Sequence, residues 1–231
     1  RESPVIKLGD IELHPPHGAV CIDLGFTAIV NNGAKIDGVL GMDVLRRTTF
    51  EVDPDLRTIR FYTGASGVFG TATPIVWSTR PSGQLAVPML RTTLADGTAH
   101  DFLIDSGTNG DTLDGLYAGN LAADRYDELV RRGKLISREI VFGVTTYTFG
   151  DNGKSHQAFA GTTGLSLGRF SHPQLIFIRD DRLNTLGLGY LSRYRVTFDF
   201  PNDTVYLQPS RSHARDDFYD LSGMRIKKNG A

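Results

Sequence analysis

This sequence lacks cysteine pairs, long apolar runs and an excess of either charge. Each absence excludes a class of protein. The 231 residues include one cysteine, Cys21, so a framework of internal disulfide bonds is excluded. No apolar run approaches the ~20 residues that a membrane-spanning helix requires. Lys and Arg number 25 against 26 Asp and Glu, so the chain lacks the basic surplus of a nucleic-acid-binding domain.

What is present favours an all-β architecture. Glycine is abundant, aromatic residues are plentiful, and the apolar runs are short and frequent, as in proteins built from many short strands. Residues 86–90 and 102–104 predict strands on either side of an Asp96-Gly97 turn. Residues 140–149 predict one arm of a hairpin that turns at residues 150–153, and residues 122–132 predict a helix.

One predicted strand ends on residues suited to acid–base chemistry. The apolar residues 102–104 lead into Asp105, Ser106, Gly107 and Thr108, so a buried strand would deliver one carboxylate into a tight turn. Glycine lets the backbone turn sharply, and the two hydroxyl groups can hydrogen-bond the turn. The same four residue types are common in ordinary loops, so the motif alone leaves both interpretations open.

An internal repeat relates two parts of the chain through a constant offset in residue number (186 − 40 = 146). Each copy reads as Leu-Gly, a short helical turn followed by a basic residue, and two strands around an Asp-containing turn. The matching pairs are Leu40 and Leu186, Gly41 and Gly187, Leu45 and Leu191, Arg47 and Arg193, Asp53 and Asp199, and Thr58 and Thr204. Six matches in one ungapped register indicate a duplicated structural unit.

These motifs together resemble the bacterial retropepsin-like and pepsin-like aspartyl proteases, which carry two homologous lobes in one chain. In that family each lobe has an apolar-Asp-Thr/Ser-Gly turn, then a flap hairpin, then an apolar-Leu-Gly segment that packs beneath the aspartate loop. Residues 102–108 match the first element, and Leu186-Gly187 match the last. Residues 36–45 resemble the last element of the other lobe. The similarity covers about residues 1–209.

The resemblance implies an acid-protease-like double lobe of closed or partly open β-barrels, with one or two short helices in each lobe. Leu40, Gly41, Leu186 and Gly187 would be the residues that pack beneath the aspartate loops. The implied divisions are residues 1–63 as the C-terminal part of the first lobe, 64–80 as the link, 81–209 as the complete second lobe, and 210–231 as a polar linker followed by the start of a PDZ-like domain or a frayed tail.

In this alignment the first lobe begins in its middle. Leu8-Gly9 align with Leu167-Gly168, and the residue numbers of Asp105 and Gly168 differ by 63 (168 − 105). The matching aspartate of the first lobe would then lie about 54 residues before Arg1. The sequence is therefore expected to be a fragment that lacks the start of the first lobe.

Asp23 is the alternative source of a second aspartate within the chain. It follows two apolar residues and precedes Gly25 by two positions. However, it lies so close before Leu40 in the sequence (40 − 23 = 17) that no room is left for a flap hairpin, and Leu24 stands where a hydroxyl residue is expected. A strand end before an ordinary turn is the favoured interpretation.

The resemblance implies an aspartic endopeptidase in which Asp105 is one half of a carboxylate dyad and Ser106, Gly107 and Thr108 shape its loop. The second carboxylate would come from an upstream segment or from Asp105 of a second copy, although the first-lobe remnant would crowd such a homodimer. The expected partner is a peptide or protein substrate, with no nucleic acid, metal or cofactor, and the cell envelope or secretion is favoured over the cytoplasm. The alternative is a catalytically inactive domain that binds peptides or acts as a scaffold.

The histidines give no metal-site prediction. His14 and His17 flank two prolines, and no third ligand lies near them in the sequence. The other four histidines, His100, His156, His172 and His213, are scattered and are expected at the surface.

Overall fold

The structure is a computed structural model that describes residues 5–8, 10–13, 40–63, 70–78, 86–108, 117–141, 157–181 and 183–217. Within these ranges the chain is mostly β. The strands are β1 (Ile6–Leu8), β2 (Ile11–Leu13), β3 (Thr49–Asp53), β4 (Thr58–Tyr62), β5 (Thr71–Trp77), β6 (Pro88–Leu94), β7 (Ala99–Ile104), β8 (Gly119–Ala122), β9 (Ile136–Val141), β10 (Gln157–Leu167), β11 (Phe170–Asp180), β12 (Thr185–Leu186), β13 (Tyr194–Asp199) and β14 (Thr204–Pro209). The helices are α1 (Met42–Leu45), α2 (Ala123–Arg131) and α3 (Leu188–Leu191), and a 3-10 turn spans Phe200–Asn202.

Six strands close into a β-barrel in the order β6-β7-β12-β8-β11-β10. The barrel closes because β10 pairs antiparallel with β6, Leu165 opposite Leu94. Residues of β6 alternate between the interior and the outside, with Leu90 and Leu94 buried and Arg91 exposed, as the two-residue period of a strand requires. Leu90 and Leu94 belong to a hydrophobic core that includes residues of all six barrel strands and extends beyond them.

Strand β5 joins this barrel to a second layer of sheet. It pairs with β6 on one side and β14 on the other, and the sheet continues through β13 and β3 to β4. Aromatic rings fill the space beside the central strands: the Phe50 ring centroid lies 5.0 Å from that of Phe198, and the Phe200 centroid lies 5.8 Å from that of Trp77. These rings continue the core from the barrel onto the sheet.

Helix α2 packs one apolar face on the barrel. Its Tyr126 and Leu129 are buried. The helix ends at Arg131, and Gly133 just after it has φ of +64°. The Lys134 N–H then donates to the Leu129 carbonyl at 2.8 Å. Glycine adopts this left-handed conformation without the steric cost of a Cβ, so it is well suited to terminate a helix.

Most element predictions that fall in the described ranges are confirmed. The chain is mostly β and contains a closed barrel, residues 88–94 and 99–104 form the strands around the Asp96-Gly97 turn, and residues 123–131 form the helix. Of the predicted hairpin arm at residues 140–149, the structure describes residues 140–141, at the end of β9, which pairs antiparallel with β10. The rest of the arm and the predicted turn at residues 150–153 lie outside the described residues. The boundaries between lobes stay a prediction.

Two segments predicted as linkers contain more structure than expected. Residues 64–80 include β5, which is paired along both of its edges. Residues 210–217, expected to be a solvated linker, pack against the rest of the chain: Asp217 forms an ion pair with Arg193, both side chains being 1% exposed, and accepts the N–H of Ile176 on β11. A polar composition did not exclude packing, because the charged groups find buried partners.

Candidate functional site

Asp105 stands directly after β7, in a turn tied to two other parts of the chain. Its backbone N–H donates to the carbonyl of Leu186 at 3.0 Å, which continues the pairing of β7 with β12. Its own carbonyl accepts a hydrogen bond from the N–H of Thr108 at 3.0 Å, which closes the turn. The strand therefore fixes where the Asp105 backbone lies, and the turn reverses the chain just beyond it.

The carboxylate of Asp105 is held by its own turn. Oδ1 accepts the backbone N–H of Gly107 at 2.9 Å, and Oδ2 accepts the hydroxyl of Thr108 at 2.8 Å. Asp105 and Thr108 are half-buried, whereas Ser106 and Gly107 are exposed. One bond on each oxygen fixes the plane of the carboxylate and leaves lone pairs that can accept a proton from water or a substrate.

Leu186 and Gly187 lie beneath this turn. Strand β12 is inserted between β7 and β8, parallel to the former and antiparallel to the latter. Gly187 N–H donates to the Ala118 carbonyl at 2.8 Å, and Leu188 N–H donates to the Thr108 carbonyl at 3.2 Å. A Cβ at Gly187 would stand 1.9 Å from the Thr108 carbonyl oxygen, so only glycine allows the two loops to approach this closely.

Leu40 and Gly41 form the same local structure at the start of α1. The Gly41 carbonyl accepts hydrogen bonds from the N–H groups of Val44 and Leu45, both at 3.1 Å. The Gly187 carbonyl accepts the corresponding bonds at the start of α3, at 3.1 and 3.0 Å. The structure thus brings Leu186 and Gly187 against the Asp105 turn and gives Leu40 and Gly41 an equivalent position at α1.

A cavity of about 320 Å³ separates α1 from α3 and opens beside the Asp105 turn. Its walls are apolar apart from a few hydroxyl groups. The lining residues are Met42, Leu45, Phe50, Val52, Pro54, Ile59, Pro88, Ile104, Ser106, Leu188, Leu191, Ser192, Tyr194, Val196, Phe198 and Phe200. Two of them, Ile104 and Ser106, flank Asp105 in the sequence, so the cavity reaches the base of the aspartate turn.

A buried polar cluster beside α3 escaped the sequence analysis. His172 is 6% exposed, so its expected position at the surface is wrong, and its Nε2 lies 2.6 Å from the Tyr194 hydroxyl. Burial and the positive charge of Arg193 lower the pKa of His172 to about 4. Burial and Arg193 also lower the pKa of His213, whereas burial raises the pKa of Asp217. Arg193 belongs to the sequence repeat, but nothing in the repeat indicates that its charge is buried.

Several predicted features fall outside the described residues: Asp23, His14, His17, the hairpin tip and the segment proposed as the start of a PDZ-like domain. In the part of the chain that the structure describes, no three His, Cys, Asp or Glu side chains are grouped as metal ligands. Among the helices of that part, none is long and apolar enough to cross a membrane.

No protein-family model matches the chain, and no curated protein matches it.

Proposed function

We propose that this chain is part of an aspartic endopeptidase in which Asp105 is one carboxylate of the catalytic dyad. The observation that carries the proposal is the Asp105 turn itself. A carboxylate at a strand end accepts one hydrogen bond on each oxygen from its own turn, and a Leu-Gly segment inserted beneath it fixes the turn. Asp53 and Asp96 also accept hydrogen bonds from their own turns, so the feature that sets Asp105 apart is the Leu-Gly segment that supports its turn.

The chemistry requires a second carboxylate facing the first. Two carboxylates held together share one proton, because both cannot ionise at close range. The ionised member accepts a proton from water as the water attacks the peptide carbonyl, and the protonated member donates its proton to the substrate. Neither a metal nor a cofactor is needed for these steps.

The internal repeat supports a two-lobed arrangement, because the elements follow its constant offset as closely as the residues do. Adding this offset to the first and last residue numbers of α1 gives the first and last residue numbers of α3. The β3–β4 turn pairs Asp53 with Thr58, and the β13–β14 turn pairs Asp199 with Thr204. The two units therefore have the same helix, the same strand order and the same register.

The pairing of the two units with each other supports a twofold relation between them. Strands β3 and β13 are antiparallel, with Glu51 opposite Thr197, and these two residues are themselves separated by the repeat offset (197 − 51 = 146). The flanking pair, Phe50 with Phe198, becomes Val196 with Val52 when each residue is replaced by its repeat equivalent, and that pair is also present. A twofold axis between Glu51 and Thr197 accounts for this register.

The same relation bears on the source of the second carboxylate. The residues of α1 and β3 take the position that α3 and β13 of a second copy would take in a symmetric homodimer. We therefore propose that the partner of Asp105 comes from a segment that packs on Gly41 and α1 as the Asp105 turn packs on Gly187 and α3. The cavity beside Ser106, lined by Met42 and Leu45, is where such a segment would lie.

The substrate proposed for this site is an extended peptide. A cleft between two β lobes suits a strand-like backbone, which pairs through main-chain hydrogen bonds and inserts alternate side chains into pockets. The antiparallel pair β9–β10 is the proposed flap on the barrel side, because it lies between the Asp105 turn and β12 in the chain, as the flap does in the family that the sequence resembles.

The test is cleavage of a mixed peptide library from acid to neutral pH by the chain extended upstream, compared with its Asp105→Asn variant. Asn keeps the shape of the side chain but cannot exchange the proton, so we expect activity to fall by at least about a thousandfold. Asp101→Asn is the matched control, because Asp101 lies on the same strand and pairs with the exposed Arg91. It should retain activity.

Activity that survives in the Asp105→Asn variant would contradict the assignment. Peptide binding without cleavage by either form would instead support the alternative of an inactive peptide-binding or scaffold domain.

A further inference from the structure

Residues 210–217, which we call the strap, are joined to α3 and to the residues just after it. Ser210 N–H donates to the Arg193 carbonyl at 3.0 Å, and Ser210 Oγ donates to the Ser192 carbonyl at 2.9 Å. Near the other end of the strap, Arg215 Nη2 donates to the Gly189 carbonyl at 2.9 Å. The strap therefore contacts α3 inside the helix and immediately after it.

Arg193 is the centre of this contact. Its side chain is 1% exposed and forms an ion pair with Asp217, and its Nη1 donates to the carbonyls of His213, at 3.3 Å, and Arg215. Removing one member of such a pair leaves the other charge buried without compensation. Arg47, the repeat equivalent of Arg193, is exposed, so the repeat unit itself does not require this arginine to be buried.

A second path runs from the strap to the Asp105 turn through the backbone. Asp217 Oδ2 accepts the N–H of Ile176 at 3.1 Å. The Ile176 carbonyl accepts the N–H of Ala118 at 2.8 Å, and the Ala118 carbonyl accepts the N–H of Gly187 at 2.8 Å. Gly187 lies directly beneath Thr108, whose hydroxyl holds the Asp105 carboxylate.

We propose that Arg193 and Asp217 are positioning residues for Asp105. Both paths from the strap converge on residues 187–189, which support the aspartate turn from below, while the Arg193–Asp217 pair holds the strap in place. Neither residue touches the site directly. If the pair is broken, α3 can shift relative to the barrel, and the turn loses the Leu188–Thr108 hydrogen bond that ties it to α3.

The expected effect of the pair on catalysis rests on the proposed function, but its expected effect on the order of the Asp105 turn does not. Hydrogen exchange measures the order of the turn in the full chain without any substrate, because the N–H groups of Asp105, Gly107 and Thr108 are all hydrogen-bonded within the turn or to β12. Peptide cleavage by the chain extended upstream measures the effect on catalysis.

The experiment compares Arg193→Gln and Asp217→Asn with two matched controls, Arg47→Gln and Asp216→Asn. Arg47 is the exposed repeat equivalent, and Asp216 is the exposed neighbour of Asp217. We expect the turn amides to exchange at least about tenfold faster in the two strap variants than in the controls, with the amides of α2 unchanged. Arg193→Lys, which keeps the charge, should restore part of the protection.

The cleavage readout separates positioning from general damage. A displaced carboxylate lowers kcat, so we expect kcat to fall about tenfold or more while KM stays within about twofold. Unchanged exchange in the turn would overturn the proposal, and so would an equal acceleration across the whole barrel, which would indicate a merely structural pair. If Arg193→Gln does not fold, the isosteric Asp217→Asn variant decides the outcome.

The two proposals fail in different ways. If the turn amides exchange faster in the strap variants but the chain shows no Asp105-dependent cleavage, the proposed function is refuted and the positioning of the turn stands. Normal exchange together with Asp105-dependent cleavage would refute the positioning and leave the function intact.

Discussion

His172 lies among rings and cations, where a positive charge on its imidazole is costly. Its ring meets those of Tyr190, Tyr194 and His213 nearly edge-on, with centroids 5.7, 5.9 and 5.0 Å away. Burial, and then the charges of Arg193 and His213, lower its pKa to about 4. The folded protein therefore holds His172 neutral at pH values where the unfolded chain would protonate it.

This difference predicts that stability falls in mild acid. An imidazole with an unfolded pKa near 6.5 and a folded pKa of about 4 contributes stability that is present above pH 6.5 and is lost as the pH falls towards 4. We expect the loss from His172 to be on the order of 2 kcal/mol. The measurement is urea unfolding of the wild type and of His172→Gln at pH 7 and pH 4.5.

The Gln variant can still hydrogen-bond the Tyr194 hydroxyl but does not titrate, so its stability should depend less on pH. Asp217, whose pKa is raised by burial, acts in the opposite direction, and His213 acts in the same direction as His172. Both groups are common to the two proteins, so the difference between the two pH profiles isolates His172. Identical profiles would contradict the assignment.

Single residues differ in how well the sequence predicts which groups surround them. The partners of the Asp105 carboxylate are two and three residues away, so the motif predicts a turn that includes them. Arg193 and Asp217 belong to different elements, with β13 and β14 between them in the chain, and their burial depends on how the strap crosses the barrel. His172 was expected at the surface because the histidines are scattered along the sequence. Its burial depends on Tyr190 and Tyr194, which belong to other elements.

At the scale of elements, β12 is the shortest of the described strands, and other backbone segments lie close to it. It lies between β7 and β8, and the backbone on each side approaches it so closely that two glycines are required. A Cβ at Gly119 would stand 1.8 Å from the Thr185 carbonyl oxygen, and one at Gly187 would stand 1.9 Å from the Thr108 carbonyl oxygen. Backbone atoms cannot move aside as a side chain can, so both positions exclude alanine.

Gly187→Ala is therefore expected to displace the Asp105 turn and to lower the free energy of unfolding by about 3 kcal/mol, the upper part of the usual range for overpacking. Gly41→Ala is the matched control, because its Cβ would meet only the side chain of Asp43, at 2.7 Å. It should cost less than about 1 kcal/mol, since that side chain can rotate away. Urea unfolding of both variants checks the prediction, which equal losses would contradict.

Element predictions succeeded where a local pattern decides the structure. The β6–β7 hairpin has a turn signal between two apolar runs, and α2 has an apolar face and a terminal glycine, so both were predicted from the sequence. Strand β12 has two residues, which is too short for any periodicity. The segment that contains β5 was predicted to be a link because it begins with small residues, and the strap because its residues are polar and charged. Neither composition indicates the pairing of β5 with β14 or of Asp217 with Arg193.

At the scale of the whole molecule, the β3–β13 pairing has the register that the proposed twofold relation between the two repeat units requires. Glu51 and Thr197 face each other across the proposed axis, and the lining of the cavity consists largely of repeat partners: Met42 with Leu188, Leu45 with Leu191, Phe50 with Val196, Val52 with Phe198, and Pro54 with Phe200. The sequence repeat predicted that two such units exist. It could not predict that they pair with each other, because the spacing of a repeat does not specify an interface.

This register predicts the behaviour of residues 70–217 alone, without the unit that contains α1 and β3. That piece keeps the barrel strands and β5 but uncovers the apolar side chains of β13, among them Val196 and Phe198. Because β3 and β13 are repeat equivalents, β13 of a second copy can replace β3 in the same antiparallel register, with Thr197 opposite Thr197 on the axis.

We expect a dimer at micromolar concentration in sedimentation velocity, and Thr197→Arg should prevent it by placing two like charges opposite each other. The complete chain should not form this dimer, since its own β3 occupies the edge. A folded piece that stays monomeric at about 100 μM, well above the micromolar range expected for its dissociation constant, would contradict the twofold relation.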